Sequence, residues 1–331
     1  MSASTAACPQ NSFVPDSALG HSLAETLNRA SEFVRAGLLP ASVDTLRAGL
    51  NRVRAAAPSS EMWRALVNRD VRPHPVLSVA HENPFVRRCY AKPRGYAGDA
   101  VMLDFIYRHA ASRELMGGVT PRGRALMDVS LTTPAPRAVR NRCRLLADEI
   151  DAICLRDPSA EILALACGHL REAEHSSALA GGAFGRFVAL DQDGESVATV
   201  ARDYGALGIE AVNGSVKTVI ARGARELGRF DFIYAAGLYD YLSDRVGARL
   251  LASLFAMLKP HGRLWIANFA PDIADAGFME ALMDWWLIYR DAAALRKVAE
   301  TGLGEQEVSP ASIWTFEETE RNVVFLEVVK A

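Results

Sequence analysis

Residues 161–174 read EILALACGHLREAE: an apolar run, a Cys167-Gly168 step, then a mixed polar stretch. The run Ile162 to Ala166 predicts a buried strand, and Arg171 to Leu179 predicts the helix that follows it. Gly168 carries no Cβ, so its φ is unrestricted and a ligand can approach the backbone there. The same rhythm continues downstream. Apolar runs at Phe187–Leu190, Ile209–Val212, Phe230–Ala235 and Leu264–Phe269 alternate with helical patterns at Glu195–Tyr204, Val216–Arg222, Arg245–Leu258 and Ala276–Trp286. Strands alternating with helices indicate parallel βαβ units and a doubly wound α/β sheet. Gln306–Val308 and Asn322–Val329 are expected to form a closing antiparallel pair.

Open sheets of this kind bind ligands beyond the carboxyl ends of their strands, at a topological switch point. Ala166, Gly168 and His169 occupy the first such end, and Asp191 and Gln192 the second. A carboxylate at the second end can accept from both hydroxyls of a ribose. Asn213 and Ser215 follow the third strand, where adenine contact and helix capping are equal readings for Ser215. Ala236-Gly237 forms a small-residue turn after the fourth strand, and Tyr239, Asp240 and Tyr241 follow it. The two tyrosines are expected on one side, facing a cationic ligand. A dinucleotide favours GxGxxG under its pyrophosphate, but His169, Leu170 and Arg171 follow Gly168 here. S-adenosylmethionine has no phosphate and tolerates a single glycine, so it is the expected cofactor. Arg171 is a candidate for its carboxylate, with a surface salt bridge as the other reading. Cys167 has no nucleophile elbow and reads as a small packed side chain.

In order, these strand-end motifs resemble the class I S-adenosylmethionine-dependent methyltransferase (Rossmann-like) fold across roughly residues 135–331. A narrower resemblance rests on CYAKPRGYAGDAVMLDFIY (89–107), RAVRNRCRLL, ALACGHLRE, YAAGLYDYL and NVVFLEV. These segments look like proteins of 3-hydroxypalmitic acid methyl ester biosynthesis, although their CGPxRE pattern is CGHLRE here. That resemblance implies methylation of a hydroxy fatty acid carboxylate. The body is also similar to the azetidine-2-carboxylate synthases. That resemblance implies cyclisation of S-adenosylmethionine itself, with release of methylthioadenosine.

Outward from the sheet, residues 1–133 read as an all-helical lid or substrate domain and residues 134–331 as the cofactor domain. Ser22 and Glu25 have capping-box spacing, with Leu23, Leu27, Ala30 and Val34 on one face. Gly37 and Pro40 are expected to stop that helix and Ser42 to start the next. Residues 71–93 carry four prolines, which predicts an extended loop. Asp99 is placed to cap a helix, and Thr120-Pro121 and Thr133-Pro134 to open two more. In the segment Lys92 to Asp99, Arg94 and Tyr96 are expected to clamp a substrate carboxylate. Asn141, early in the helix before the first strand, is a candidate polar contact. Trp285, Trp286 and Tyr289 read as core positions on a helix.

The 331 residues are 50% hydrophobic and 23% charged, ordinary globular composition. Lys plus Arg is 37 and Asp plus Glu 39, a net charge of -2, so no basic field exists to hold nucleic acid or an anionic membrane. No apolar run reaches the roughly 18 residues of a spanning helix. The N-terminus lacks a secretory pattern, so a cytoplasmic location is expected. Five scattered cysteines without CxxC imply neither a disulfide framework nor a metal site. The expected partner is a small-molecule substrate.

Overall fold

The structure, a computed structural model, describes residues 17–304 and 312–331. Seven strands form one sheet: β1 Glu161–Leu165, β2 Arg186–Asp191, β3 Ile209–Asn213, β4 Phe230–Ala235, β5 Leu258–Phe269, β6 Ile313–Glu317 and β7 Val323–Val329. Their order is β3-β2-β1-β4-β5-β7-β6. The first five strands are parallel, whereas β7 pairs antiparallel with both β5 and β6. Of the expected closing pair, the second strand forms, and Ile313–Glu317 pairs antiparallel with it. The expected strand at 306–308 lies outside the described residues, as does Cys8.

Strand periodicity builds two apolar layers. Ile162 and Ala164 of β1 face one layer with Phe187, Phe232 and Trp265, while Leu163 and Leu165 face the other with Val188, Ile233 and Leu264. Both faces of a parallel sheet must be covered, and helices do so. On the first face lie α8 (Pro134–Arg156), whose stripe Val139, Cys143, Leu146, Ile150 and Ile153 is buried, and α10 (Gly194–Tyr204). On the second lie α11 (Val216–Glu226), α12 (Asp244–Ala256) and α14 (Ala292–Leu303).

The first half is helical: α1 Ser17–Arg35, α2 Leu39–Ala56, α3 Ser60–Leu66, α4 Pro75–Ala80, α5 Pro84–Ala91, α6 Ala100–Tyr107 and α7 Pro121–Ser130. Leu23, Leu50 and Phe105 from these helices join the first apolar layer of the sheet. Asp99 caps α6 by accepting from Met102 N, and Thr120 caps α7 through Gly123 N. Proline positions correct several expectations. Pro40 lies in the first turn of α2 instead of ending α1, and Pro75 and Pro84 open α4 and α5 where an extended loop was expected. Proline has no N–H to lose at a helix start, and His74 and Asn83 supply the caps. Ser22 is inside α1, because the apolar face extends back to Leu19.

Three further corrections concern the second half. After Gly168 the chain forms a 3-10 turn at Arg171–Glu174 and one short helix, α9 (Ser177–Ala180), in place of a continuous helix. The segment 258–269 is a single strand from end to end. Helix α13 (Ala276–Leu282) stops before the tryptophans, since Asp284 is left-handed with φ 49, so Trp285, Trp286 and Tyr289 are not on a helix.

Candidate functional site

The chain crosses from β3 back to β4 beside β1, and the strand order reverses there. A cleft of about 980 Å³ lies over the ends of these strands. Its floor is built from the segments that follow β1, β2, β3 and β4, and its roof from Arg94, Tyr96, Gly98, Ala100 and Leu103 of the helical half.

The turn after β1 holds three left-handed residues in five: Ala166 (φ 53), Gly168 (φ 55) and Leu170 (φ 51). Such a backbone is costly for non-glycine residues and persists only where its surroundings hold it. Here the hold is Asp191. Its Oδ2 accepts from Gly168 N at 2.8 Å and its Oδ1 from Asp193 N at 2.9 Å. An ionised carboxylate has about four acceptor sites, so capacity remains toward the cleft, which Asp191 lines. Burial raises its pKa, opposed by the Asp193 and Gly168 amides. A Cβ at Gly168 would stand 3.3 Å from Ala100 Cβ, so roof and floor nearly touch there.

Ala166, Gly168, Asp191, Gln192, Gly237, Arg94, Tyr96 and Tyr241 come together in the cleft. The other sequence candidates take different places. His169 Nδ1 lies 2.8 Å from Asp104 Oδ2, and Arg171 Nε donates to Asp104 Oδ1 at 2.7 Å. Arg171 also meets Glu174, Asp203 and Tyr204. It is therefore held in a buried ion-pair network, neither at the cleft nor in the surface salt bridge expected of it, because Asp104 reaches it from the helical half. Asn213 braces the floor, donating to the carbonyls of Asp191 and Gln192, and Ser215 caps α11 through Thr218 N. Ala236 contributes a carbonyl to Arg142, and Asn141 donates to Glu318 beside the closing strand pair.

Tyr239 and Tyr241 do not share a side. They sit in a 3-10 turn, Tyr239–Tyr241, which breaks strand alternation. Tyr239 is fully buried in the second apolar layer and donates to Gly247 O, whereas Tyr241 is 38% exposed and lines the cleft. Arg94 lines the cleft with its charge already matched. Nη1 donates to Asp193 Oδ2 at 2.7 Å and Nη2 to Glu195 Oε2 at 2.7 Å, which ties the roof to the start of α10.

Arg142 is a residue that site reading from the sequence missed. It is 5% exposed and donates to Ala236 O at 2.6 Å, with Nη2 3.9 Å from where a Gly237 Cβ would lie. A signal was available: Ala135, Val139, Arg142 and Leu146 share the buried stripe of α8, and a charge on such a stripe needs a partner. Asp104 was missed too, because only the folded chain brings it to His169 and Arg171, while Gly98 of the expected lid segment does line the cleft.

Among the described residues, Asp191 is the one carboxylate that lines the cleft, beside the phenols of Tyr96 and Tyr241. Burial pushes the Tyr96 phenol upward, helped by Asp191, and the Tyr241 phenol too, helped by Asp240, since its hydroxyl end is packed against Trp285 and Gly98 while the rest of the side chain is exposed; both remain hydrogen-bond donors at neutral pH. Burial also raises the Cys167 thiol well above its ordinary value. Asp240, buried under the fourth strand end, is pushed up to about 6 by burial, against the Phe269 amide and the charges of Arg142 and Arg290. A carboxyl with a raised folded pKa stabilises most below its unfolded pKa, and that contribution is lost as pH rises through about 6. Asp240→Asn keeps an acceptor for Phe269 N, so its stability relative to the parent should rise between pH 4 and pH 8. Urea denaturation at both pH values checks this; a constant difference would contradict it. Among the described residues, no group of three or more His, Cys, Asp or Glu could hold a metal ion, and no helix is long and apolar enough to cross a membrane.

No protein-family model matches the chain, and no curated protein matches it. Solved structures do. A possible exported protein from Bordetella parapertussis is 16% identical, covering 79% of this chain and 99% of that one, with a TM-score of 0.50. Magnesium protoporphyrin IX methyltransferase from Synechocystis, with bound SAH, is 14% identical over 70% of this chain and all of that one, with a TM-score of 0.44. The N-methyltransferase NodS from Bradyrhizobium japonicum is 13% identical over 55% of this chain and 95% of that one, with a TM-score of 0.35. At these identities the likeness is one of fold. With its sheet order and single antiparallel β7, the chain has the class I methyltransferase, Rossmann-like fold.

Proposed function

We propose that this protein is an S-adenosylmethionine-dependent transferase acting on small molecules, by default a methyltransferase. The observation that carries this reading is the Gly168–Asp191 contact: a carboxylate fixed at the end of β2, with acceptor capacity left toward the cleft. In this reading Asp191 takes the ribose hydroxyls, and Gln192, Gly214, Val216 and Leu238 enclose the base. Ala166 and Gly168 bring bare backbone to the amino acid part, and Arg142 supplies positive charge for its carboxylate. Residues 17–133 act as the helical lid.

The cofactor supplies a positive sulfur whose attached carbons are electrophilic. The protein's part is then to position the acceptor in line and exclude water. Tyr96 and Tyr241 set their rings beside the positive centre and keep their protons. Asp191, the one carboxylate among the described residues lining the cleft, is given to the ribose in this reading, so the fitting acceptor is one already carrying a lone pair at neutral pH, such as a carboxylate with its ordinary pKa near 4. A hydroxy fatty acid is the acceptor that the resemblance of residues 89–107 implies.

The volume favours transfer to a second molecule over cyclisation. Ligand pockets span about 300–1,000 Å³, and this cleft stands at the upper end, wider than one folded cofactor needs. The deciding experiment incubates the protein with S-adenosylmethionine, alone and with candidate acids, and identifies the products. S-adenosylhomocysteine formed only with an acid supports methyl transfer. Methylthioadenosine formed with no acceptor present overturns it in favour of cyclisation.

Tyr241 carries a separate prediction. Tyr241→Leu keeps bulk but removes the ring's negative face. Binding of S-adenosylmethionine should weaken about 0.5–2 kcal/mol more than binding of neutral-sulfur S-adenosylhomocysteine. Tyr239→Leu should leave that difference unchanged, because Tyr239 is buried away from the cleft. Calorimetry on both variants with both ligands is the check.

A further inference from the structure

Tyr241 and Trp285 meet at the boundary between two spaces. On one side lies the cleft, which Tyr241 and Gly98 line. On the other lies an apolar cavity of about 20 Å³, bounded by Phe85, Ile106, Val139, Phe269, Met283 and Trp285. Trp285 leaves α13 through the left-handed Asp284, and this turn swings its indole against the roof. Its Nε1 donates to Tyr241 Oη at 2.8 Å, and Phe269 packs edge-on against its ring at 6.3 Å. A Cβ at Gly98 would stand 2.4 Å from Tyr241 Oη and 3.1 Å from Trp285 Cζ2. One phenol and one indole, wedged by a glycine, therefore separate the cleft from the cavity. Because Tyr241 Oη accepts from the indole, its own hydrogen is free to point elsewhere, and the cleft is the space it lines.

We propose that the Tyr241–Trp285 pair walls the acceptor half of the cleft where it meets the sulfonium, the ring face of Tyr241 toward the positive centre and its hydroxyl edge toward the indole, and sets the length of apolar group an acceptor can carry past that point. Trp285 acts as a positioning residue: it holds the phenol upright and plugs the apolar space behind it. The proposal rests on the reading of the cleft as a small-molecule transferase site. Removing the indole joins the cleft to the cavity, while filling Gly98 drives the phenol into the cleft.

The test titrates straight-chain carboxylic acids and primary alcohols from butyl to tetradecyl into the full-length protein by calorimetry, with and without S-adenosylhomocysteine. In the parent, each carbon should tighten binding about fourfold, the value of one buried methylene, up to a limiting length. Trp285→Ala should move that limit out to longer chains, and Gly98→Ala should move it in. Trp285→Phe, which keeps more of the packing, should give a smaller outward shift and stands in if the alanine variant does not fold. The same limit in parent and variants, including no binding in either series, overturns the proposal. A shift seen with alcohols while acids do not bind leaves the wall standing and removes the carboxylate reading. A shift seen while S-adenosylhomocysteine does not bind removes the cofactor reading instead.

Discussion

Asp104→Ala should lower stability by about 3–5 kcal/mol, the cost of breaking a buried ion pair from one side. Asp104 is 1% exposed and takes three contacts: His169 Nδ1 at 2.8 Å, Arg171 Nε at 2.7 Å and Arg171 Nη2 at 3.2 Å. Truncation leaves an almost fully buried guanidinium with only Glu174, Asp203 and the Tyr204 hydroxyl. Among the described residues His169 Nε2 has no partner, so the imidazole would be left unsatisfied at both nitrogens. Burial alone would raise the Asp104 pKa, but hydrogen bonds from His169 and Arg171 outweigh it and hold the value low. The stabilisation is therefore in force above the unfolded carboxylate value near 3.9 and is lost as pH falls through the lowered folded value. Urea denaturation at pH 7 and pH 3 checks both points. A loss under about 1 kcal/mol at pH 7 would show that Asp104 carries no such load.

This contact also shows where sequence reading ends. Arg171 lies three residues past Gly168, and its neighbours in sequence place it at a ligand. Asp104, 67 residues earlier, claims it instead. Arg94 was likewise taken by Asp193 and Glu195, roughly a hundred residues on. Local pattern carries no record of such pairings. It does carry periodicity and capping, which is why the alternation of β1, the Asp99 cap and the placement of Asp191 at a strand end were legible. Tyr239 and Tyr241 fell between these cases. Their spacing was right for one side of an extended chain, but a 3-10 turn rotated one ring into the core. Arg142 was legible in principle, as a charge on the apolar stripe of α8, since a buried guanidinium seldom lacks a purpose.

Asp191→Ala should weaken S-adenosylmethionine binding by about 3 kcal/mol, or roughly a hundredfold or more. Two losses combine. A charge-assisted hydrogen bond from the ribose is worth about 1.5–3 kcal/mol. The second loss is preorganisation: without Asp191 the amides of Gly168 and Asp193 lose their acceptor, and the left-handed turn from Ala166 to Leu170 loses its anchor. The two losses separate in Asp191→Asn. Its single oxygen can serve one amide, but its NH2 group would face the other as donor against donor. Asp191→Asn should therefore retain part of the affinity, and its hydrogen-exchange protection at Gly168 should fall between parent and alanine variant. S-adenosylhomocysteine, which shares the ribose, should lose affinity in parallel, in contrast to the ligand-selective effect at Tyr241. Unchanged binding in Asp191→Ala would remove the ribose role and leave Asp191 as a brace for the turn. The cofactor would then have to be held by the floor beyond β3 and β4, where Val216, Leu238 and Lys217 line the cleft.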